Sequence, residues 1–233
     1  MGSAAVPNRV AIIALAPLSP NYGERRGGLR PSLIVLHYTA MASCGAALDR
    51  LCDPAAEVSA HYLISEVGDV LALVAEDMRA WHAGAGSWQG LDDINSRSIG
   101  IELANDGAGP FAHGQMRALE ALLHGIMARW AIGPEGVIAH SDMAPGRKAD
   151  PGARFDWRRL ALGGLSVWPD RAEPGQTRSF GADARRFGYP DVGADLVLAA
   201  FRLRFRPWAT GPLDSIDAGI IADLAGRFGA ALA

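Results

Sequence analysis

Five short apolar runs, separated by stretches of helical or loop character, constrain the fold of this chain more than any other feature. The runs are rich in Val, Ile and Leu and are bounded by turn residues, as β-strands are. They lie at residues 33–37, 60–64, 70–74, 99–103 and 137–140. Residues 115–130 carry apolar side chains at helical spacing, which predicts one long amphipathic helix. Strands mixed with crossover helices favour an α/β fold in which helices pack on one central sheet.

Both ends of the chain differ from this pattern. Residues 10–16 are apolar like the core of a signal peptide, but sequence typical of a folded domain follows at once, so we interpret them as a first strand or an apolar lead-in. Pro and Gly at residues 169–178 predict a linker. Residues 179–233 carry three helical patterns and predict a small three-helix domain after a main domain of residues 1–168. The alternative is that these helices pack on the main domain and form no domain of their own.

Charge and cysteine usage narrow the classes of function. The formal net charge of −3 provides no basic field for nucleic acid or an anionic membrane. No apolar run approaches the roughly 20 residues that span a bilayer.

Cys44 and Cys52 lie on one predicted helix, about 12 Å apart at a rise of ~1.5 Å per residue, which is too far for a disulfide. Two free thiols fit a reducing compartment, so we expect a cytoplasmic protein, with a periplasmic or envelope-associated location as the alternative.

The segment of residues 139–152 places His140, Lys148 and Asp150 in one loop punctuated by Gly and Pro. Imidazole and carboxylate suit Zn²⁺, whose catalytic sites use three protein ligands and keep one position open. A loop can fold His140 and Asp150 back onto one ion. We expect His37 to be the third ligand, because it ends an apolar run where open α/β sheets carry ligands. The alternative for His37 alone is a hydrogen-bonded structural histidine.

Glu102 is flanked by Ile and Leu on a predicted strand, where a carboxylate is costly to bury without a partner. Beside an activated water it would accept a proton and pass it on, while the alternative is a structural salt bridge. Lys148 would approach a metal only where negative charge develops, as on the oxyanion of a tetrahedral intermediate. Arg147 could hold a substrate carboxylate, and the alternative is a surface residue without a role. The sequence contains no serine-hydrolase elbow, P-loop, dinucleotide fingerprint or His-Glu-x-x-His motif.

The glycine-rich segment of residues 81–90 is too irregular for a helix or a strand and predicts a loop at the rim of a cleft. An exposed Trp88 there would stack on a sugar or a peptide, and the alternative is a hydrophobic latch. We expect His82 to contact substrate as well. Tyr38 and Asn105 complete the expected substrate contacts.

Five motifs then occur in an order that resembles a known family. They are Val-Leu-His-Tyr-Thr from residue 35, Ser-Ala-His-Tyr-Leu-Ile from 59, Trp-His-Ala-Gly from 81, Ser-Ile-Gly-Ile-Glu-Leu from 98, and the loop at 140–152. Over about residues 19 to 160 they resemble the zinc-dependent N-acetylmuramoyl-L-alanine amidases, relatives of phage lysozyme-type amidases and animal peptidoglycan recognition proteins. Within that family the chain is most similar to bacterial enzymes that act on muropeptides with a 1,6-anhydro sugar.

The resemblance implies a mixed central β-sheet flanked by helices, with the cleft over one sheet edge. It implies that His37, His140 and Asp150 hold one zinc ion, that Glu102 is the proton shuttle and that Lys148 stabilises the transition state. The implied reaction is hydrolysis of the amide between the lactyl group of N-acetylmuramic acid and L-alanine, in peptidoglycan degradation or recycling. The implied partners are peptidoglycan fragments or the cell wall.

The helices of residues 179–233 resemble, more loosely, a three-helix peptidoglycan-binding module. Two other functions remain open from the sequence. One is a non-catalytic peptidoglycan-binding protein, which the complete set of ligands and catalytic residues disfavours. The other is a zinc peptidase that cuts within the stem peptide.

Overall fold

A computed structural model of the chain describes residues 12–14, 19–170 and 173–229. The strands in this part are β1 (Ile12–Ala14), β2 (Tyr22–Gly23), β3 (Leu33–Tyr38), β4 (Tyr62–Ile64), β5 (Val70–Ala72), β6 (Arg79–Ala80), β7 (Ser98–Leu103) and β8 (Val137–Ala139). Six of them form the central sheet in the order β1-β5-β4-β7-β3-β8, while β2 and β6 form a separate antiparallel pair. Within the central sheet β4 and β5 are antiparallel and the other neighbours are parallel. The predicted mixed sheet is confirmed.

The helices in the described part are α1 (Cys44–Cys52), α2 (Ile94–Arg97), α3 (His113–Trp130), α4 (His140–Met143), α5 (Trp157–Leu162), α6 (Phe180–Phe187), α7 (Ala194–Phe205) and α8 (Ser215–Phe228). The long amphipathic helix is confirmed as α3. Both cysteines are free, at the two ends of α1. None of the helices in the described part combines the length and apolar character that crossing a membrane requires.

The predicted strands at 60–64 and 70–74 are shorter in the structure, at Tyr62–Ile64 and Val70–Ala72, and two further elements also differ from the sequence-based expectation. The predicted strand at residues 137–140 ends at Ala139, and His140 begins the short helix α4 instead. The predicted first strand at residues 10–16 is described only at Ile12–Ala14, where it pairs parallel with β5, and the remainder lies outside the described residues. The turn into α4 matters for the site, because it directs the His140 side chain away from the line of its strand.

The two faces of the central sheet are covered by different helices. On β3, Ile34 and Leu36 pack in an apolar cluster with buried residues of α3. Leu33 and Val35 point to the opposite face and share a second cluster with the helices α6, α7 and α8. Because side chains alternate along a strand, His37 belongs to this second face. The C-terminal helices therefore cover the side of the sheet on which His37 lies.

Trp88 corrects an interpretation from the sequence, because its ring is 1% exposed rather than open to a ligand. It packs edge-on against Phe187 and Tyr189, at centroid distances of 5.5 and 5.3 Å. Gly188 lies between these two aromatic residues, and a Cβ there would come within 2.5 Å of the Trp88 ring. The backbone N–H of Gln89 also donates to the Gly188 carbonyl at 2.8 Å. Trp88 is thus a hydrophobic latch between the glycine-rich loop and the end of α6.

The latch predicts a large loss of stability for Trp88→Ala. Truncating a fully buried Trp typically costs about 3–5 kcal/mol, because apolar contacts are lost and a cavity remains. Trp208 is 71% exposed and provides a matched control. Its replacement by Ala should change the free energy of unfolding by less than about 0.5 kcal/mol. Urea denaturation of both variants measures the difference, and equal effects would contradict the latch.

Candidate active site

The strand pairing brings three metal-ligand candidates to one edge of the sheet. His37 lies near the end of β3, and His140 follows β8, which pairs parallel with β3 in a register that places Leu36 beside Ala139. The loop after α4 then returns, and the backbone N–H of Ser141 donates to the carbonyl of Asp150 at 3.0 Å.

The side-chain atoms of the three candidates converge. His37 Nδ1 lies 2.9 Å from His140 Nδ1 and 2.9 Å from Asp150 Oδ2, and His140 Nδ1 lies 2.9 Å from the same oxygen. All three residues are buried, and their ligand atoms lie within 4.8 Å of one another. The structure therefore places the three predicted ligands where one ion can contact them all.

A hydrogen bond on the far side of the His140 ring determines which ring nitrogen carries the proton. Its Nε2 lies 2.9 Å from the carbonyl oxygen of Ala83. A carbonyl only accepts hydrogen bonds, so Nε2 carries the ring proton and donates it. The neutral ring then has its lone pair on Nδ1, directed at His37 and Asp150.

A chain of hydrogen bonds fixes the His37 ring in the same way. The Ser98 hydroxyl donates to the carbonyl of Ile94 at 2.6 Å, so its oxygen is free to accept from His82 Nε2 at 3.1 Å. His82 Nδ1 then accepts from His37 Nε2 at 3.0 Å, which leaves the lone pair of His37 on Nδ1. Gly100 makes room for this arrangement, since a Cβ there would come within 2.4 Å of the His82 ring. Both ring nitrogens of His82 are engaged in this chain, and the residue also lines the cleft, so its contact with substrate stays a prediction.

The electrostatics favour lone pairs over protons at the cluster. Burial, together with the nearby His140, lowers the pKa of His37 to about 4, so the ring is neutral at pH 7. Burial opposes ionisation of Asp150, but its contacts with His140 and His37 hold the pKa of this carboxyl below its ordinary range. A neutral His37 ring, the His140 Nδ1 atom and a carboxylate, each 2.9 Å from the others, form a group of donors that suits a cation. A set of two histidines and one aspartate is of the kind that Zn²⁺ accepts.

Glu102 lies beside this cluster on the neighbouring strand. In the register of β3 and β7 it is the direct partner of His37, and Ile101 and Leu103 point to the opposite face. Its Oε2 atom is buried and has no hydrogen-bond partner among the described residues. Burial raises the pKa of Glu102 to about 8, with Asp150 adding to the shift and Lys148 opposing it. An unpaired carboxyl at this position contradicts the alternative of a structural salt bridge.

A cleft of about 370 Å³ opens over these residues. Its lining includes His37, Glu102, His140 and Asp150, the polar residues Tyr38, His82, Lys148 and Arg147, and Trp81, Val58 and the α1 residues Ala47, Arg50 and Leu51. The contribution of α1 to the lining was missed in the sequence, since an amphipathic helix does not show what its apolar side covers. Gly100 was the one available signal of close packing behind the ligands.

The remaining substrate-contact candidates differ in whether they line the cleft. Tyr38 and Arg147 line the cleft, although Arg147 also uses its Nη2 group to donate to the carbonyls of Ala83 and Ala85. Asn105 lies in an adjoining depression, and its side-chain oxygen accepts from the Gly107 N–H at 2.7 Å. Trp88 is buried in the latch described above.

The chain is similar in sequence and in structure to known proteins. A family model described as N-acetylmuramoyl-L-alanine amidase matches residues 27–153. The N-acetylmuramoyl-L-alanine amidase AmiD of Escherichia coli (strain K12) is 37% identical, over 86% of this chain and 84% of its own. The structure of E. coli AmiD with the substrate anhydro-N-acetylmuramic acid-L-Ala-D-gamma-Glu-L-Lys superposes with a TM-score of 0.78, at 34% identity, over 90% of this chain and 98% of that one.

A second solved structure agrees with the first. AmpDh3 from Pseudomonas aeruginosa in complex with anhydromuramic pentapeptide has a TM-score of 0.77 at 31% identity, and the match covers 94% of this chain and 99% of that one. The family model covers more than half of the chain, and AmiD aligns with most of it. The chain therefore belongs to the N-acetylmuramoyl-L-alanine amidase family.

Proposed function

We propose that this amidase uses one zinc ion held by His37, His140 and Asp150, and that its substrate is a peptidoglycan fragment with a 1,6-anhydro-muramic acid. The observation that carries the proposal is the convergence of three lone-pair atoms beside the unpaired carboxyl of Glu102. The anhydro sugar is supported by the ligands named for the AmiD and AmpDh3 structures. The role is recycling or degradation of the cell wall.

In the proposed reaction, water adds to the lactyl carbonyl and the bond to the L-alanine nitrogen breaks. A Zn²⁺ ion held by His37, His140 and Asp150 would supply a Lewis acid that makes water nucleophilic near neutral pH. The positive charge of a bound ion would favour the ionised form of Glu102 over the neutral form of the metal-free protein. The ionised Glu102 accepts the proton of the attacking water and then gives it to the leaving nitrogen. The carboxyl has no competing partner among the described residues, so it is free to do both. Lys148, which also lines the cleft, balances the negative charge that develops on the carbonyl oxygen.

The lining of the cleft suits an anionic peptide. Lys148, Arg147 and Arg50 all belong to it, and the stem peptide of a muropeptide carries carboxylates. We assign Arg147 and Tyr38 to contacts with the substrate near the metal, and Asn105 to a contact further along the adjoining depression. The same charges disfavour a cationic ligand.

The compartment is proposed as the cytoplasm. The free thiols of Cys44 and Cys52 support it, because oxidising compartments favour disulfides and modified thiols. Periplasmic or envelope-associated protein is the alternative, and cell fractionation with an antibody to the chain separates the two. Recovery with the envelope would overturn the assignment.

Mass spectrometry of a 1,6-anhydro-muropeptide digest tests the reaction. Zinc-loaded protein should release the intact stem peptide and free anhydro sugar, and chelation should abolish the release. Fragments of the peptide would instead indicate a peptidase. Binding without cleavage by the zinc-loaded protein would indicate a non-catalytic binding protein.

Replacement of the proton shuttle separates chemistry from metal binding. We expect Glu102→Gln to retain one zinc per chain and to lose about 10²–10⁴-fold in kcat, the usual contribution of a general acid–base group. Glu135, an exposed residue that does not line the cleft, supplies the control variant Glu135→Gln with near wild-type kcat. Metal analysis and turnover are measured on the same preparations, and near-normal turnover of Glu102→Gln would remove the residue from the mechanism.

The raised pKa of Glu102 also predicts a pH-dependent stability of the metal-free protein. Burial raises this pKa from 4.5 to about 8, so the folded protein holds a proton that the unfolded chain releases. The contribution of this group to stability therefore falls as the pH rises from about 4.5 toward 8. After chelation, Glu102→Gln should have a higher Tm than wild type at pH 8, and the difference should disappear near pH 4.5. A difference independent of pH would contradict burial as the cause.

A further inference from the structure

The short helix α4 begins with the metal-ligand candidate His140 and makes its strongest polar contacts with the C-terminal helices. All four of its residues are buried, and Asp142 is 0% exposed. The Asp142 carboxylate accepts from the Ala139 N–H at 2.9 Å, from the Tyr189 hydroxyl at 2.8 Å and from the Arg204 guanidinium. The reaction proposed above uses none of these contacts.

Arg204 reaches Asp142 from α7 and is itself 2% exposed. Its Nη2 group donates to the carbonyl of Val137 and to the Ser166 hydroxyl, both at 3.1 Å. Its guanidinium lies 4.3 Å from the centre of the Trp157 ring. The side chain thus holds the first residue of β8 and the third residue of α4 at once, on either side of the turn that directs His140.

A second contact from the same helices reaches the other side of His140. The latch of Trp88 is seated on Phe187 and Tyr189. One residue before it, the Ser87 N–H donates to the Met143 carbonyl at 3.0 Å. The same glycine-rich loop supplies the Ala83 carbonyl that accepts from His140 Nε2 (see above).

We propose that the C-terminal helices, residues 180–228, are a structural part of the metal site, and that Arg204 and Tyr189 are positioning residues that orient His140 through Asp142. The inference rests on the proposed metal site. A module that only tethers the enzyme to a glycan would need no buried ion pair to the ligand-bearing helix. Buried charges add little net stability against an apolar alternative, but removing one partner leaves the other uncompensated. Loss of Arg204 should therefore disturb α4 and the orientation of His140.

Arg202 provides a matched control on the same helix. It is 8% exposed, and its buried partner Asp217 belongs to α8, so this ion pair lies entirely within the C-terminal helices. Arg204→Met and Arg202→Met each remove one buried guanidinium from α7. Both are expected to lower Tm, but only the first breaks a contact with the helix that carries His140.

The test measures the affinity for Zn²⁺ by competition with a chromophoric chelator, together with the visible absorption spectrum of the Co²⁺-loaded protein. Both are recorded well below the Tm of every variant. We expect Arg204→Met to bind Zn²⁺ about tenfold more weakly, the lower end of the range for residues that support ligands, with an altered Co²⁺ spectrum. Arg202→Met should keep the wild-type affinity and spectrum, and Arg204→Lys should recover part of the loss.

Tyr189→Phe keeps the proposal testable if Arg204→Met does not fold, because it removes only the hydroxyl that donates to Asp142. A severalfold loss of Zn²⁺ affinity is expected for it. Affinities of the folded variants within twofold of Arg202→Met would overturn the positioning role and leave the amidase reaction standing. A wild-type protein that binds no metal would instead overturn the proposed function itself.

Discussion

The Nδ1 lone pairs of His37 and His140 point toward Asp150 because the Nε2 atom of each ring already makes a hydrogen bond on its other side. A backbone carbonyl holds the ring proton of His140, and the chain from Ser98 through His82 holds that of His37. Neutral imidazoles alone are free to turn and to exchange tautomers, so these outer hydrogen bonds decide the orientation of both ligands. The arrangement of the proposed metal ligands therefore depends on the hydrogen bonds that surround them.

The same strand pairing positions Glu102, the proposed acid–base group. The parallel register of β3 with β7 places Glu102 directly beside His37, and that of β3 with β8 brings His140 to the same edge. Because α3 covers the other face of the sheet, the face with His37 and Glu102 is left to the cleft and the C-terminal helices. One face of these adjacent strands thus carries His37, the proposed base Glu102 and the surface on which α6 to α8 pack, while the segment after β8 adds His140 and Asp150.

Much of the site could be predicted from local sequence. A histidine at the end of an apolar strand, a glutamate between Ile and Leu, and a His–Asp loop each carry their chemistry in their immediate neighbours. Trp88 could not be placed this way, because its partners Phe187 and Tyr189 lie far along the chain. The burial of Arg204 could not be predicted for the same reason. An arginine on an amphipathic helix is expected to face solvent, and its buried partner Asp142 lies far away in the sequence. The turn that starts α4 at His140 was also missed, because the apolar run gives no sign of where the strand stops.

The central claim is that both histidines offer Nδ1, together with Asp150, to one zinc ion. Anomalous diffraction at the zinc edge from crystals of the zinc-loaded protein tests it most directly. The account predicts one peak about 2.0–2.1 Å from Nδ1 of His37 and of His140, and about 2.0–2.2 Å from a carboxylate oxygen of Asp150. Coordination through Nε2, or a zinc ion bound by other residues, would contradict it.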